Sequence, residues 1–366
     1  MKPVFFFTAL CCFFFGVAQQ ENAPKKYTVD ASLFYGSVLK HNPSISHLIT
    51  NHPGGIILGF NKKSFGEEEW QAVYNYPDYG YSLVYQNMNN STLGEHYGVF
   101  VHYNLYYLKR NLQLRLGQGI SYNTNPYDKE TNFRNNAYGS SFMASILFML
   151  NYHKENICKG LGAKAGFSLI HYSNGSFKSP NTSTNTLAFN AGLVYDLDGG
   201  KEFEFLENNP TETFVEPIKV NAVFRTGINS SDVLGMKQYP FYTISAYADK
   251  RIGRKSAFHI GTEVFFSNFL KELIRYTSIA FPENNIAANT DYKRVGIFVG
   301  HELFVRKLSL TTQLGYYVYY PYDFEGRIYN RLGLKRYLGD KIFAEIAIKA
   351  HAANAEAIEF GVGVRF

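Results

Sequence analysis

A histidine and a serine two residues apart, in the run His171-Tyr172-Ser173-Asn174-Gly175, bring together the groups needed for nucleophilic ester chemistry. A serine hydroxyl attacks a carbonyl only when a neighbouring imidazole takes its proton, and that imidazole needs an acceptor on its other nitrogen to hold the right tautomer. Asn185, which follows the polar stretch 176–184, can supply such an acceptor. Side chains two apart on a strand share a face, so His171 and Ser173 stand together if residues 161–172 form a strand.

Periodicity supports two strands here. Over 161–172, Leu161, Ala163, Ala165, Phe167 and Leu169 alternate with Gly162, Lys164, Gly166 and Ser168, and His171 and Ser173 extend the apolar row. Over 186–197, Leu187, Phe189, Ala191, Leu193, Tyr195 and Leu197 alternate with Thr186, Asn190 and Asp196, and Asn185 belongs to the Leu187 row. In a membrane barrel the apolar row faces lipid. The hydroxyl, imidazole and amide then converge on one outward patch at the rim, where polar groups on a lipid face are costly and ask for a reason. The same three residues also fit the ordinary end of an apolar belt, and periodicity alone leaves both explanations open.

The rest of the chain calls for a barrel. Its 366 residues are 17% aromatic, with 29 Tyr and 32 Phe, residue types favoured in strands and at membrane–water boundaries. A mean hydropathy of -0.20 argues against a helical membrane protein, which needs runs of about 20 apolar residues, but not against strands that alternate. The net charge of +6 comes from scattered Lys and Arg, which disfavours nucleic-acid binding and suits anionic lipid headgroups. Alternating segments bounded by Gly, Asn, Asp or Pro predict strands at 27–38, 54–63, 79–88, 95–107, 111–122, 138–152, 161–172 and 186–197. A second set is predicted at 218–228, 240–251, 256–268, 292–305, 308–320, 326–337, 341–351 and 356–366. Turns at 109–111 and 306–307 are short, while 123–137 and 270–290 read as long loops, the asymmetry of outer-membrane barrels. The fold class is therefore all-β, a transmembrane antiparallel barrel of about 16 strands.

Met1-Lys2, the apolar run 4–18 and the small residues Gly16-Val17-Ala18 read as a secretory signal peptide over 1–18. Its removal takes Cys11 and Cys12 and leaves Cys158 alone, so no intrachain disulfide and no cysteine-based metal site is expected. The two halves resemble each other. Thr28-Val29-Asp30-Ala31 parallels Lys219-Val220-Asn221-Ala222, residues 52–66 parallel 239–253 without a gap, and Pro126-Tyr127-Asp128 recurs as Pro321-Tyr322-Asp323. This divides the chain into an eight-strand repeat over 27–198, a linker over 199–217 and a degenerate repeat over 218–366. Two small barrels and one fused barrel satisfy the pattern equally.

The HYSN run at 171–174, the following Pro180-Asn181, Trp70-Gln71 to Tyr76-Pro77, and residues 126–132 together resemble the PagL-type lipid A 3-O-deacylases and their longer acyloxyacyl hydrolase-like outer-membrane relatives. The ending Gly361-Val362-Gly363-Val364-Arg365-Phe366 is likewise similar to the last strand of bacterial outer-membrane proteins. The resemblance implies an eight-stranded outer-membrane barrel that hydrolyses the ester-linked acyl chain at the 3-position of lipid A. It assigns Ser173 as nucleophile, His171 as general base, and Asn174 with a backbone N–H near Gly175 as the oxyanion hole. The family's third triad member is Glu; this chain has Asn185, which can orient the imidazole but adds no charge, and no acid occurs between Ser173 and Asp196.

In the second repeat His351-Ala352-Ala353-Asn354 occupies the corresponding place, with Ala353 at the nucleophile position and His351 on the row of Lys349 and Glu345, so it is expected to face the lumen and be inert. The ten histidines show no metal-ligand spacing and no phosphate-binding Gly loop leads into a helix, so neither cofactor nor metal is expected. The partner is lipopolysaccharide in the outer leaflet; a homodimer is left open. The rival class is a catalytically inactive structural or transport barrel, against which the small inward residues Gly162, Gly166 and Ser168 count, since they suit a narrow, filled bore.

Overall fold

The computed structural model describes residues 27–199, 204–207, 214, 216–231, 233–352 and 354–366; the signal peptide read at 1–18, part of the 199–217 linker and Ala353 lie outside them. Eight strands come first: β1 (Tyr27–Val38), β2 (Gly54–Lys62), β3 (Asp78–Asn87), β4 (Glu95–Tyr107), β5 (Leu112–Asn123), β6 (Phe142–Cys158), β7 (Leu161–Ser173) and β8 (Thr184–Asp196). Eight more follow: β9 (Lys219–Asn229), β10 (Tyr239–Arg251), β11 (Ser256–Ser267), β12 (Arg294–Val305), β13 (Leu308–Tyr319), β14 (Ile328–Tyr337), β15 (Ile342–His351) and β16 (Asn354–Arg365). Within each set of eight, consecutive strands pair antiparallel. β1 closes on β8, from Thr28↔Asp196 to Val38↔Thr186, and β16 closes on β9, from Phe360↔Thr226 to Arg365↔Asn221.

The sequence left one barrel or two undecided, and the pairing gives two closed barrels of eight strands. Closure satisfies every strand's hydrogen-bonding edge, which is what a chain in hydrocarbon requires. A 12-residue strand rising about 3.3 Å per residue at a tilt near 45° covers about 28 Å, the thickness of a bilayer core. No helix among the described residues is long and apolar enough to cross a membrane. The outward residues of the strands are large and apolar in both barrels, for example Leu33, Leu83, Phe167 and Leu193 in the first and Ile244, Ile260, Val299 and Leu314 in the second.

The bores are filled. Inside the first barrel Asp30 accepts from Arg115 Nη2 at 2.7 Å, Lys164 Nζ at 2.6 Å and Asn61 Nδ2 at 2.9 Å, with His102 and Asn104 completing the network around Asn61. Above it, towards the rim that carries β7's end, Phe34, Ile57, Phe100, Leu147, Tyr138 and Tyr172 form an apolar plug. The second barrel uses Glu263 against Arg225 and Arg331, Glu302 against Lys335, and Glu356 against Arg294 and Lys349.

Two expectations are corrected. β6 begins at Phe142 and runs to Cys158, whereas 138–152 was expected, because Asn135 Oδ1 accepts from the N–H groups of Ala137 and Tyr138 and keeps them in the loop. Helix α2 (Asn268–Ala280), which follows the short α1 (Glu69–Val73) in chain order, begins at the end of the expected strand 256–268 and takes up the first half of the expected loop 270–290; it turns Phe269, Leu270 and Ile274 inward. Its spacing is helical, and a search for alternation passes over it.

Candidate active site

β7 and β8 lie side by side, and the register sets His171 directly opposite Asn185. His171 Nδ1 lies 2.8 Å from Asn185 Oδ1. An amide oxygen can only accept, so this contact places the ring proton on Nδ1 and leaves Nε2 as the basic nitrogen. Both residues are partly exposed between buried inward neighbours, Ile170 and Tyr172 on one strand and Thr184 and Thr186 on the other, so both face outward. The exposed side chains of Leu187 and Ile146 border them on the lipid side. Among the described residues no carboxylate bonds to the imidazole; the amide takes the place of an acid.

The inner side of this corner is rigid. Tyr172 is fully buried, stacks on His96 with ring centroids 4.1 Å apart, and donates from its hydroxyl to Gln86 Oε1 at 3.2 Å. Gln86 in turn donates to Thr186 Oγ1 at 2.8 Å, which ties the ends of β7 and β8 to β3 from within.

Ser173 also has outward parity, but it is only 2% exposed, whereas the sequence placed it on an open patch. The 174–183 segment folds over it. Ser173 Oγ donates to Asn181 Oδ1 at 3.1 Å and accepts from the Gly175 N–H at 3.0 Å. Asn181 Oδ1 also accepts from the Asn174 N–H at 2.9 Å. Asn174, which the resemblance placed in the oxyanion hole, donates from its side-chain Nδ2 to the Lys178 carbonyl at 2.6 Å, and its Oδ1 is buried without a hydrogen-bond partner. The remaining end of the segment is held by Asn136 and Ala137, whose carbonyls accept from the N–H groups of Thr182 and Ser183 at 3.1 and 3.2 Å.

The Asn181 side-chain carbonyl therefore accepts from both the Ser173 hydroxyl and the Asn174 backbone N–H. Ser173 hydrogen-bonds to Asn181 and not to His171 in this arrangement. Asn181→Ala is expected to raise the rate of Ser173 labelling by a fluorophosphonate about two- to tenfold, since one hydrogen bond contributes roughly 0.5–1.5 kcal/mol. Labelling time courses read this directly, and a slower rate would show that Asn181 supports the nucleophile.

His41, 130 positions before His171 in the chain, is a neighbour that periodicity does not reveal. It lies on the β1–β2 loop with Nε2 2.9 Å from the Thr182 carbonyl and 3.4 Å from Ser183 Oγ, at the β8 end of the segment that covers Ser173. In the second barrel His351 is buried in the lumen, 3.2 Å from Tyr317 Oη, beside a register shift at Lys349/Ala350. Ala353 lies outside the described residues.

A closed barrel with an apolar exterior, and with His171 paired to Asn185 outside its bore, defines a membrane β-barrel. Residues 54–194 match the family described as lipid A 3-O-deacylase (PagL), and residues 218–366 match the one described as acyloxyacyl hydrolase, C-terminal domain. The chain belongs to this PagL and acyloxyacyl hydrolase family. None of the curated proteins matches it. Among solved structures it is similar to the Acinetobacter baumannii outer membrane protein Omp33, at 8% identity over 93% of this chain and 97% of that one, with a TM-score of 0.18. It is also similar to a mutant of the Rh. blastica porin, at 8% identity over 94% and 100%, with a TM-score of 0.19.

Proposed function

We propose that the protein is a bacterial outer-membrane serine esterase that removes an ester-linked acyl chain from lipid A. Ser173 is the nucleophile, His171 the general base and Asn185 the group that orients it. The family supplies the lipid A deacylase class, and one contact supports the mechanism most: the 2.8 Å pairing of His171 Nδ1 with Asn185 Oδ1, on the exterior beside Ser173. A site outside the bore meets acyl chains where they lie, in the outer leaflet.

The chemistry proceeds in two steps. Ser173 Oγ exchanges Asn181 for His171, gives its proton to Nε2, and attacks the ester carbonyl carbon. The backbone N–H groups of Asn174 and Gly175 are the donors for the oxyanion, freed from Asn181 and from Ser173 Oγ as the substrate enters. The imidazolium then protonates the departing sugar alkoxide, leaving an acyl-serine. Water, deprotonated by the same Nε2, releases the fatty acid and restores Ser173.

Asn185 stabilises the neutral imidazole's tautomer but contributes no charge to the imidazolium. Asn185→Glu is expected to raise kcat about tenfold or more, because a carboxylate at this position favours the protonated ring in the transition state. Fatty-acid release by the purified variant measures it, and a fall in kcat would mean that the amide is the fitted partner. The assignment itself is tested by fluorophosphonate labelling and peptide mapping. The adduct is expected on Ser173; a protein that takes up no label, or takes it up elsewhere, would overturn the mechanism.

A further inference from the structure

The turn that follows Ser173 is gripped by the other barrel. Ser230, just beyond β9 and almost fully buried, donates its N–H to the Ser176 carbonyl at 2.9 Å and accepts at Oγ from the Ser179 N–H at 3.1 Å. Ser176 Oγ donates to the Ala355 carbonyl, and Gln238 Nε2 donates to the Phe177 carbonyl, each at 2.5 Å. Ile358, on the outer wall of β16, packs against Gly175 so closely that a methyl group there would stand 2.4 Å from its Cγ1. Gly175 has φ +61, a conformation that suits glycine, and its N–H donates to Ser173 Oγ. Force on the 175–179 turn from the second barrel therefore reaches the hydroxyl through a single hydrogen bond.

We infer that the second barrel is a clamp for the active site of the first, with Ser230 a positioning residue that holds the 175–179 turn and, through Gly175, sets Ser173 and the oxyanion donors. This rests on the assignment of Ser173 as nucleophile. A ten-residue loop on a barrel rim would otherwise keep its backbone groups for water, and catalytic geometry does not tolerate such freedom: a misplacement of about 1 Å can cost about a hundredfold in rate. The second barrel carries Ala353 at the repeat position of Ser173. Its contribution to the chemistry is mechanical, delivered by Ala355 and Ile358 of β16 and by Ser230 and Gln238 of the loop between β9 and β10.

Kinetics of the full chain test the clamp. Ser230→Ala removes the acceptor for the Ser179 N–H and keeps the backbone contact. It is expected to lower kcat for lipid A hydrolysis about tenfold with KM unchanged, and Ser230→Thr, which restores the oxygen, is expected to recover most of the loss. An unchanged kcat in Ser230→Ala, or a loss that Ser230→Thr does not recover, would overturn the clamp. If the wild type leaves lipid A intact, the substrate assignment fails and fluorophosphonate labelling of Ser173 decides the clamp alone. Slower labelling in Ser230→Ala, recovered by Ser230→Thr, upholds it; equal rates overturn it. A wild type that is neither active nor labelled overturns the clamp together with the nucleophile.

Discussion

Ser173→Ala is expected to lower kcat for fatty-acid release from lipid A by at least about a thousandfold, with little change in KM. The alanine keeps the strand, the turn and the apolar surroundings, and removes only the oxygen that forms the acyl intermediate. The loss of the hydroxyl also leaves the Gly175 N–H and Asn181 Oδ1 to each other or to water, a small perturbation beside the missing nucleophile. His171→Ala is expected to cause a loss of similar size, and the double variant no more than either alone, because a base without a nucleophile has nothing to activate. Steady-state assays on purified protein in lipid A–detergent micelles check all three. Losses that multiply in the double variant would show that the two residues act independently and would contradict the proposed pair.

Asp30→Ala is expected to destabilise the first barrel by about 3–5 kcal/mol, because it removes one partner of a buried ion network. The carboxylate is the counter-charge of both Arg115 and Lys164, whose side chains are wholly buried in the bore. Without it two cations face each other with only Asn61, Asn104 and Ser82 as neutral partners. The chain's one tryptophan, Trp70, packs against Tyr79 and Tyr103 on the first barrel and reports its unfolding. Urea titrations followed by Trp70 fluorescence should show the midpoint falling sharply. An unchanged midpoint would mean that water in the bore already screens these charges.

Much of the architecture was legible because a membrane strand writes its environment with a period of two. Leu187, Phe189, Ala191 and Leu193 face lipid while Thr186 and Asn190 face the bore, and that alternation survives without knowledge of the partners. The choice between two barrels and one was not legible, since β8 pairing with β1 or with β9 would bury the same faces. His171 and Asn185 were traceable to the outer row for the same reason as the leucines around them. The cover on Ser173 was not, because it depends on the amide of Asn181, on Asn174 reaching Lys178, and on a grip from Ser230, contacts made by loops that have no period. Helix α2 and His41 escaped for related reasons: one has a different period, and the other arrives from a distant hairpin. The family resemblance implied Asn174 in the oxyanion hole; its side-chain amide donates to the Lys178 carbonyl, and the proposed role therefore uses its backbone N–H.

Mass spectrometry of lipid A from bacteria expressing the wild type or Ser173→Ala tests the central claim most directly, with both proteins verified in the outer membrane. The account predicts that wild-type cells yield lipid A lighter by one ester-linked acyl chain and that Ser173→Ala cells keep it. The same acyl pattern in both would contradict the account.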